Sequence, residues 1–105
     1  MGYKLKTTKD ALYKKGFYYN KFMSSEDSDV YSTKFPVYKY KKSTVLECEV
    51  SVELQTGDVV INVFNYGTRD IYAPFYNAEY GKCEILYDIN NAIELQLKKF
   101  GVKKK

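Results

Sequence analysis

The sequence has no histidine and no tryptophan among its 105 residues, and it has only two prolines and two cysteines. Without an imidazole, neither a Ser–His nucleophile nor a zinc site that needs histidine can be built. No phosphate-binding loop of the GxxxxGKS/T or GxGxxG pattern is present either. Catalysis would have to rest on carboxylates alone, as in metal-dependent nucleases or glycosidases.

Long apolar runs are also missing. No segment approaches the roughly eighteen apolar residues of a membrane span, and the start, MGYKLKTTKD, is basic with no apolar segment behind it. We expect a cytoplasmic chain that forms one domain over residues 1–105, with residues 102–105 as a disordered basic tail.

The few potential metal ligands and thiols are widely spaced. Cys48 and Cys83 form no CxxC pair, so we expect two reduced side chains, Cys48 in the core and Cys83 near a helix start. A disulfide between the two cysteines is possible only if the fold brings them together. The polar segment 24–29 lacks the pattern of an EF-hand loop, and we predict a mobile loop there. No catalytic residue, metal or cofactor is predicted.

Twelve tyrosines and six phenylalanines are the most unusual feature of the composition. Tyrosine offers a large, rigid ring and a hydroxyl at low entropic cost, and it is enriched on recognition surfaces. An AT-rich genome, which over-uses the codons for Lys, Tyr, Asn and Ile, accounts for the same count equally well. Both interpretations stay open at this point.

Charge is segregated along the chain. Residues 1–42 hold ten lysines against four acids, residues 43–97 hold two basic residues against nine acids, and residues 98–105 add five lysines. The total of +4 therefore hides basic ends and an acidic middle. This pattern predicts either a two-faced surface or mutual neutralisation across the fold.

Helix signals occur near both ends. Residues 7–16 start with threonines that can cap a helix, carry lysines in the last turn and end at a glycine, which predicts a short helix. Residues 84–100 carry an apolar stripe at helical spacing with acids near the start and lysines near the end, which predicts a long one.

Strand signals occupy the middle of the chain. Residues 34–41 alternate, with Pro36 favouring a sheet edge, and residues 46–54 alternate strictly. A hairpin at residues 55–58 leads into the apolar strand 59–64, which we expect to be central. The predicted fold class is α+β: two layers, with a short N-terminal helix, an antiparallel β-meander of three to four strands, and a long C-terminal helix packed on one sheet face.

Three carboxylates, those of Glu47, Glu49 and Glu53, fall on one face of the strand 46–54. An active site is one interpretation. Lys39 and Lys41 on the neighbouring strand favour a cross-strand charge ladder instead of a catalytic cavity. A third interpretation is an exposed acidic surface that attracts a basic protein partner.

Nucleic-acid binding is the rival function for a chain with a pI of 8.9. Lysines could grip phosphates while tyrosine rings stack on bases, helped by the lysine tail. No RNP-like strand or helix-turn-helix spacing is present. The residues of this alternative are Lys39, Lys41, Lys42, Tyr38 and Tyr40.

The Lys/Tyr/Asn-rich composition and the run FPVYKYKKSTVLECEVSVELQTGDVVINVF, followed by YAPFYN and a terminal segment ending KKFG, resemble small orphan proteins of phages and mobile elements of Gram-positive bacteria. Several such proteins are anti-CRISPR proteins or other inhibitors of host defence. The resemblance implies a non-enzymatic inhibitor that covers the nucleic-acid-binding surface of a CRISPR-associated nuclease. It carries over no individual residue, and the positive net charge departs from the strongly acidic DNA mimics of that group.

We therefore predict a small protein-binding inhibitor, which acts as a nucleic-acid mimic on a larger protein. Its oligomeric state stays open, because an edge strand could pair with its copy while the lysines on that strand oppose this. The residues predicted to bind the partner are Glu47, Glu49, Glu53, Asp70, Tyr72, Tyr76 and Tyr80.

Overall fold

A computed structural model describes residues 2–76 and 84–104, except for the side chains of residues 74, 76 and 84–86. The strands are β1 (Tyr3–Lys4), β2 (Tyr18–Tyr19), β3 (Val30–Tyr40), β4 (Ser43–Glu53), β5 (Asp58–Asn65) and β6 (Lys103–Lys104). The helices are α1 (Lys9–Lys14), α2 (Ala73–Tyr76) and α3 (Glu84–Phe100). All strands join one antiparallel sheet in the order β2-β3-β4-β5-β1-β6.

The predicted fold class is wrong. The molecule is mostly β, built on a six-stranded antiparallel sheet, and not a long helix on a meander of three to four strands. The strands that lie outside the predicted meander of residues 34–64, β1, β2 and β6, have two residues each. A strand of two residues is too short to show an alternating pattern in the sequence. β1 and β6 meet at one edge of the sheet, where β1 lies between β5 and β6.

The three long strands form two hairpins. β4 and β5 are joined through Gly57, whose φ of +79° suits glycine, and a Cβ there would lie 3.0 Å from the Leu5 carbonyl oxygen. β3 and β4 are joined by Lys41 and Lys42, both with positive φ. β3 starts at Val30, earlier than predicted, and pairs with β2 only through two residues.

One face of the sheet, here called the covered face, is buried under the helices. The β4 side chains on this face are fully or almost fully buried, and α3 adds the apolar residues of its inner stripe to the same cluster. α1 starts at its cap Thr8, as predicted, and buries Leu12. The buried apolar residues of β4 and α3 on this face are Leu46, Cys48, Val50, Val52, Ile89, Ile93, Leu97 and Phe100.

Cys48 is a free, buried thiol, as predicted, whereas Cys83 lies outside the described residues. Burial, followed by the charges of Glu49 and Glu47, raises the pKa of the Cys48 thiol to about 12. The thiol therefore stays protonated at neutral pH and behaves as a small apolar side chain.

Two segments differ from their sequence-based expectations. Residues 24–29 form a turn, in which the Ser24 hydroxyl donates to the Asn20 carbonyl oxygen at 2.7 Å and accepts from the Val30 N–H at 2.8 Å. Lys103 and Lys104, expected in a disordered tail, form β6.

Candidate protein-binding site

The second face of the sheet, here called the open face, is formed by the residues that alternate with the covered ones. On β4 these include Glu47, Glu49 and Ser51, and the pairing places Lys34 opposite Glu49 and Phe64 opposite Glu47. Among the described residues, the turn at residues 20–24 lies over part of this face.

Asn20 builds that turn. Its side-chain oxygen accepts the N–H groups of Phe22 and Met23 at 3.1 and 3.2 Å, which folds the chain back towards the sheet. Its amide nitrogen donates to the Ser32 hydroxyl at 3.0 Å, and that hydroxyl lies 2.8 Å from the Ser51 hydroxyl. Because each of these buried polar groups has a partner, the turn is held in one position above β3 and β4.

The turn leaves two large apolar side chains at the surface. The Phe22 side chain is 90% exposed and Met23 is 40% exposed. Beside them lies a groove of about 610 Å³, which combines aromatic, sulfur-containing and charged walls. The residues that line the groove are Tyr18, Asn20, Phe22, Met23, Lys34, Glu49 and Arg69.

Glu49 is only 7% exposed, so the expectation of a continuous exposed acidic strip is wrong at this position. Its carboxylate accepts from the Tyr18 hydroxyl at 3.4 Å. Burial, followed by the charge of Glu49, raises the pKa of Tyr18, whereas the charge of Arg69 opposes this rise. The middle carboxylate is thus enclosed by the groove walls and not displayed on the surface.

Arg69 brings a positive charge to the same face. Its φ of 65° and its N–H bond to the Asn65 carbonyl, at 2.9 Å, place it in a tight turn after β5. The centre of its guanidinium lies 5.1 Å from the centroid of the Phe64 ring, within the range of a cation–π contact. Since Phe64 lies opposite Glu47, the Arg69 guanidinium lies close to the acidic residues of β4.

The predicted charge ladder with Lys39 and Lys41 is wrong. Irregular pairing between Pro36 and Lys39 shifts the register, so that Lys39 lies opposite Thr44, and Lys41 lies in the turn. Lys34 is the lysine opposite a β4 carboxylate.

The remaining residues of the predicted protein-binding set are dispersed. Glu53 is half-buried at the end of β4 and opposite Val30, and Asp70 is exposed. Tyr72 packs half-buried against the core. The Tyr76 side chain and the whole of Tyr80 lie outside the described residues.

The predicted nucleic-acid surface divides into two distant parts. Tyr40 is 60% exposed at the β3–β4 turn, with the Lys41 ammonium 5.4 Å from its ring centroid. Lys39 and Lys42 are exposed there too, whereas Tyr38 packs half-buried against the core. β6 lies beside β1, and β1 pairs with the end of β5 that lies away from the β3–β4 turn. At ~3.3 Å per residue, the distance along the strands from that turn to β1 is roughly 30 Å. The hairpin lysines and the terminal lysines therefore form no single surface.

Sequence reasoning missed Asn20, Phe22, Met23, Lys34 and Arg69 as members of one site. Asparagine is a frequent turn residue because its side-chain oxygen can accept backbone N–H groups of the residues that follow it. Lys34 has the alternation that places it on the same face as Glu49. Nothing local to Arg69 indicates that the turn after β5 returns to this face, because that contact depends on the tertiary fold.

Within the described ranges, no group of three or more acidic or cysteine side chains is arranged to hold a metal ion. None of the helices in those ranges combines the length and the hydropathy that crossing a membrane requires. No protein-family model, curated protein or solved structure matches the chain.

Proposed function

We propose that this chain is a small, cytoplasmic, non-enzymatic protein that binds a larger protein through the groove of its open face and inhibits it by occupying that partner's surface. The observation that supports this most directly is the 90% exposure of the Phe22 side chain beside a groove walled by Tyr18, Met23 and Arg69. Aromatic, methionine and arginine side chains are enriched in the buried centres of protein interfaces.

The site is suited to binding because its shape is set in advance. Asn20 fixes the turn that carries Phe22 and Met23, so little loop entropy is lost when a partner docks. Complete burial of the Phe22 ring would contribute on the order of 1.5–3 kcal/mol, and the flexible Met23 side chain can adjust to the contour of the partner.

Charge defines the partner segment more closely. Lys34 and Arg69 are exposed, whereas Glu49 is enclosed and Glu47 is half-buried. The partner therefore places an apolar or aromatic side chain against Phe22 and Met23 and a carboxylate towards the two cations. We keep a CRISPR-associated nuclease, the partner class that the resemblance implies, as the proposed partner. We no longer propose that a continuous acidic strip imitates the phosphates of nucleic acid, because Glu49 is enclosed.

Two matched variants test the site. Phe22→Ser and Tyr87→Ser each remove one exposed aromatic ring, from the open face and from α3 respectively. Wild-type, Phe22→Ser and Tyr87→Ser proteins are each immobilised and exposed to a lysate of a Gram-positive host, and the retained proteins are identified by mass spectrometry. We expect a protein that the wild type and Tyr87→Ser retain and that Phe22→Ser loses.

The retained protein is then purified and its affinity for the three chains is measured by calorimetry. A loss of about 10-fold or more for Phe22→Ser alone is expected from removing a central aromatic contact. If the retained protein is a nuclease, its inhibition should be complete at one equivalent of the wild type. Equal affinity for all three chains would remove the groove from the site, and turnover of the partner by substoichiometric wild type would contradict a non-enzymatic role.

A further inference from the structure

The two ends of the chain meet at the sheet edge opposite β2 and concentrate lysines there. β1 and β6 pair with each other, with Lys4 opposite Lys103 and Tyr3 opposite Lys104. We name the lysines around this edge the terminal lysine cluster. Its members are Lys4, Lys6, Lys15, Lys98, Lys103 and Lys104.

The cluster surrounds two concave surfaces on opposite sides of β6. Lys4, Lys6 and Lys103 line a cavity of about 400 Å³ with Gly101, and Lys98 and Lys104 line another of about 450 Å³ with part of α3. Neighbouring residues of a strand project to opposite faces, which explains why Lys103 and Lys104 line different cavities.

Most of this positive charge is not neutralised by the residues that the structure describes. Lys4 pairs with Asp58 at 2.8 Å and Lys104 with Glu94 at 3.5 Å. Lys6, Lys98 and Lys103 have no ion pair within residues 2–76 and 84–104. The Lys15 ammonium donates to the Phe100 carbonyl oxygen at 2.5 Å and so screens the negative end of α3, which would otherwise repel an anion.

We infer that the terminal lysine cluster binds the phosphate backbone of double-stranded nucleic acid, on a surface separate from the groove of the open face. A polymer with repeated phosphates can contact both cavities across the β6 edge, whereas a single phosphate would use only one. Among the described residues that line the two cavities, the one aromatic ring is that of Tyr3, which is half-buried with its hydroxyl 2.6 Å from Glu94. Recognition is therefore by charge and not by base stacking, so binding is independent of sequence and sensitive to salt.

Fluorescence anisotropy with a labelled DNA duplex tests this inference without any protein partner. The variant Lys6→Ala/Lys98→Ala/Lys103→Ala removes the unpaired cluster lysines, and Lys39→Ala/Lys41→Ala/Lys42→Ala removes the same charge from the distant β3–β4 turn. We expect the first variant to lose about tenfold or more in affinity at roughly 50 mM salt, and the slope of log K against log salt to shrink by up to about 2.7 for three lost phosphate contacts.

The turn variant should stay within about twofold of the wild type, and Phe22→Ser, which affects only the proposed protein site, should bind the duplex normally. Absence of wild-type binding at low salt, or an equal loss in both triple variants, would overturn the inference. Binding to vesicles of anionic lipid that needs the cluster lysines, with no binding to duplex, would assign the surface to a membrane and likewise overturn it.

Discussion

Neighbouring residues of β4 meet different surroundings on the two faces of the sheet. Cys48 and Val50 are sealed beneath the helices, whereas Glu49 and Ser51 are buried by a short polar turn and a few side chains. The covered face is held by close packing of apolar groups, and the open face by directed hydrogen bonds. Burial alone therefore does not distinguish a core from a binding groove; the kind of group that covers the residue does.

The largest effect should come from truncating the covered face. Leu97→Ala removes a side chain that is 2% exposed on α3, and it should lower the free energy of unfolding by about 2–5 kcal/mol through lost burial and a residual cavity. Phe22→Ser on the open face should change it by no more than about 0.5 kcal/mol. Urea unfolding followed by circular dichroism measures both. Comparable losses would show that the Phe22 ring is part of the core.

Alkaline pH should weaken the covered face through Cys48. Above the ordinary thiol pKa of 9.0 the unfolded chain releases this proton, but the native chain retains it up to a pKa of about 12. The unfolded state then binds fewer protons, so stability falls as pH rises, by about 1.4 kcal/mol per pH unit within this window. Tyr3, whose pKa burial and Glu94 raise to about 12, acts in the same direction.

Denaturant titrations at several pH values measure this slope. Cys48→Ala should abolish more than half of the decline between about pH 8 and 9, where tyrosines of the unfolded chain are still mostly protonated. An unchanged decline in Cys48→Ala would show that this thiol does not retain its proton in the native state.

Asn20→Ala should have an intermediate effect, confined to the open face. It removes the acceptor of the Phe22 and Met23 N–H groups and the donor to Ser32, and it should cost about 1–3 kcal/mol. Asn20→Asp keeps the acceptor and should retain part of this stability. Equal losses in the two variants, measured by thermal unfolding, would mean that the turn depends on the donor alone.

The smallest effect concerns the two turns that border both faces. Lys42 has a φ of 71°, which glycine tolerates better, so Lys42→Gly should raise stability by about 0.5–1 kcal/mol. Gly57→Ala should lower it, because of its φ of +79° and the Leu5 carbonyl oxygen 3.0 Å from the new Cβ. A loss of stability in Lys42→Gly would indicate a native contact of the lysine that offsets its backbone strain.

Local sequence signals predicted the elements whose pattern repeats. The alternation on β4 and the apolar stripe of α3 each contain several periods, and Gly57 marks the turn before β5; the structure places these elements where the sequence does. The two-residue strands contain no full period, and their pairing depends on where both chain ends meet. For this reason the fold class could not be derived from local patterns.

The site was less accessible to sequence reasoning than the strands. Alternation correctly placed Glu47 and Glu49 on one face, but it does not report that Asn20 folds a turn over that face or that Arg69 returns to it. The irregular pairing between Pro36 and Lys39 moved the expected lysine partners away. The first two errors concern contacts between residues distant in sequence, and the third concerns a local irregularity of the β3–β4 hairpin.

Hydrogen–deuterium exchange of this chain, alone and with the partner that it captures, tests directly whether the groove of the open face binds that partner. We predict that binding slows exchange in the turn at residues 20–24, in the stretch of β3 around Lys34 and in the turn after β5 that carries Arg69. The amides of α3 should exchange at the same rate in both states. Protection confined to α3, with unchanged exchange around Phe22, would contradict the open face as the binding surface.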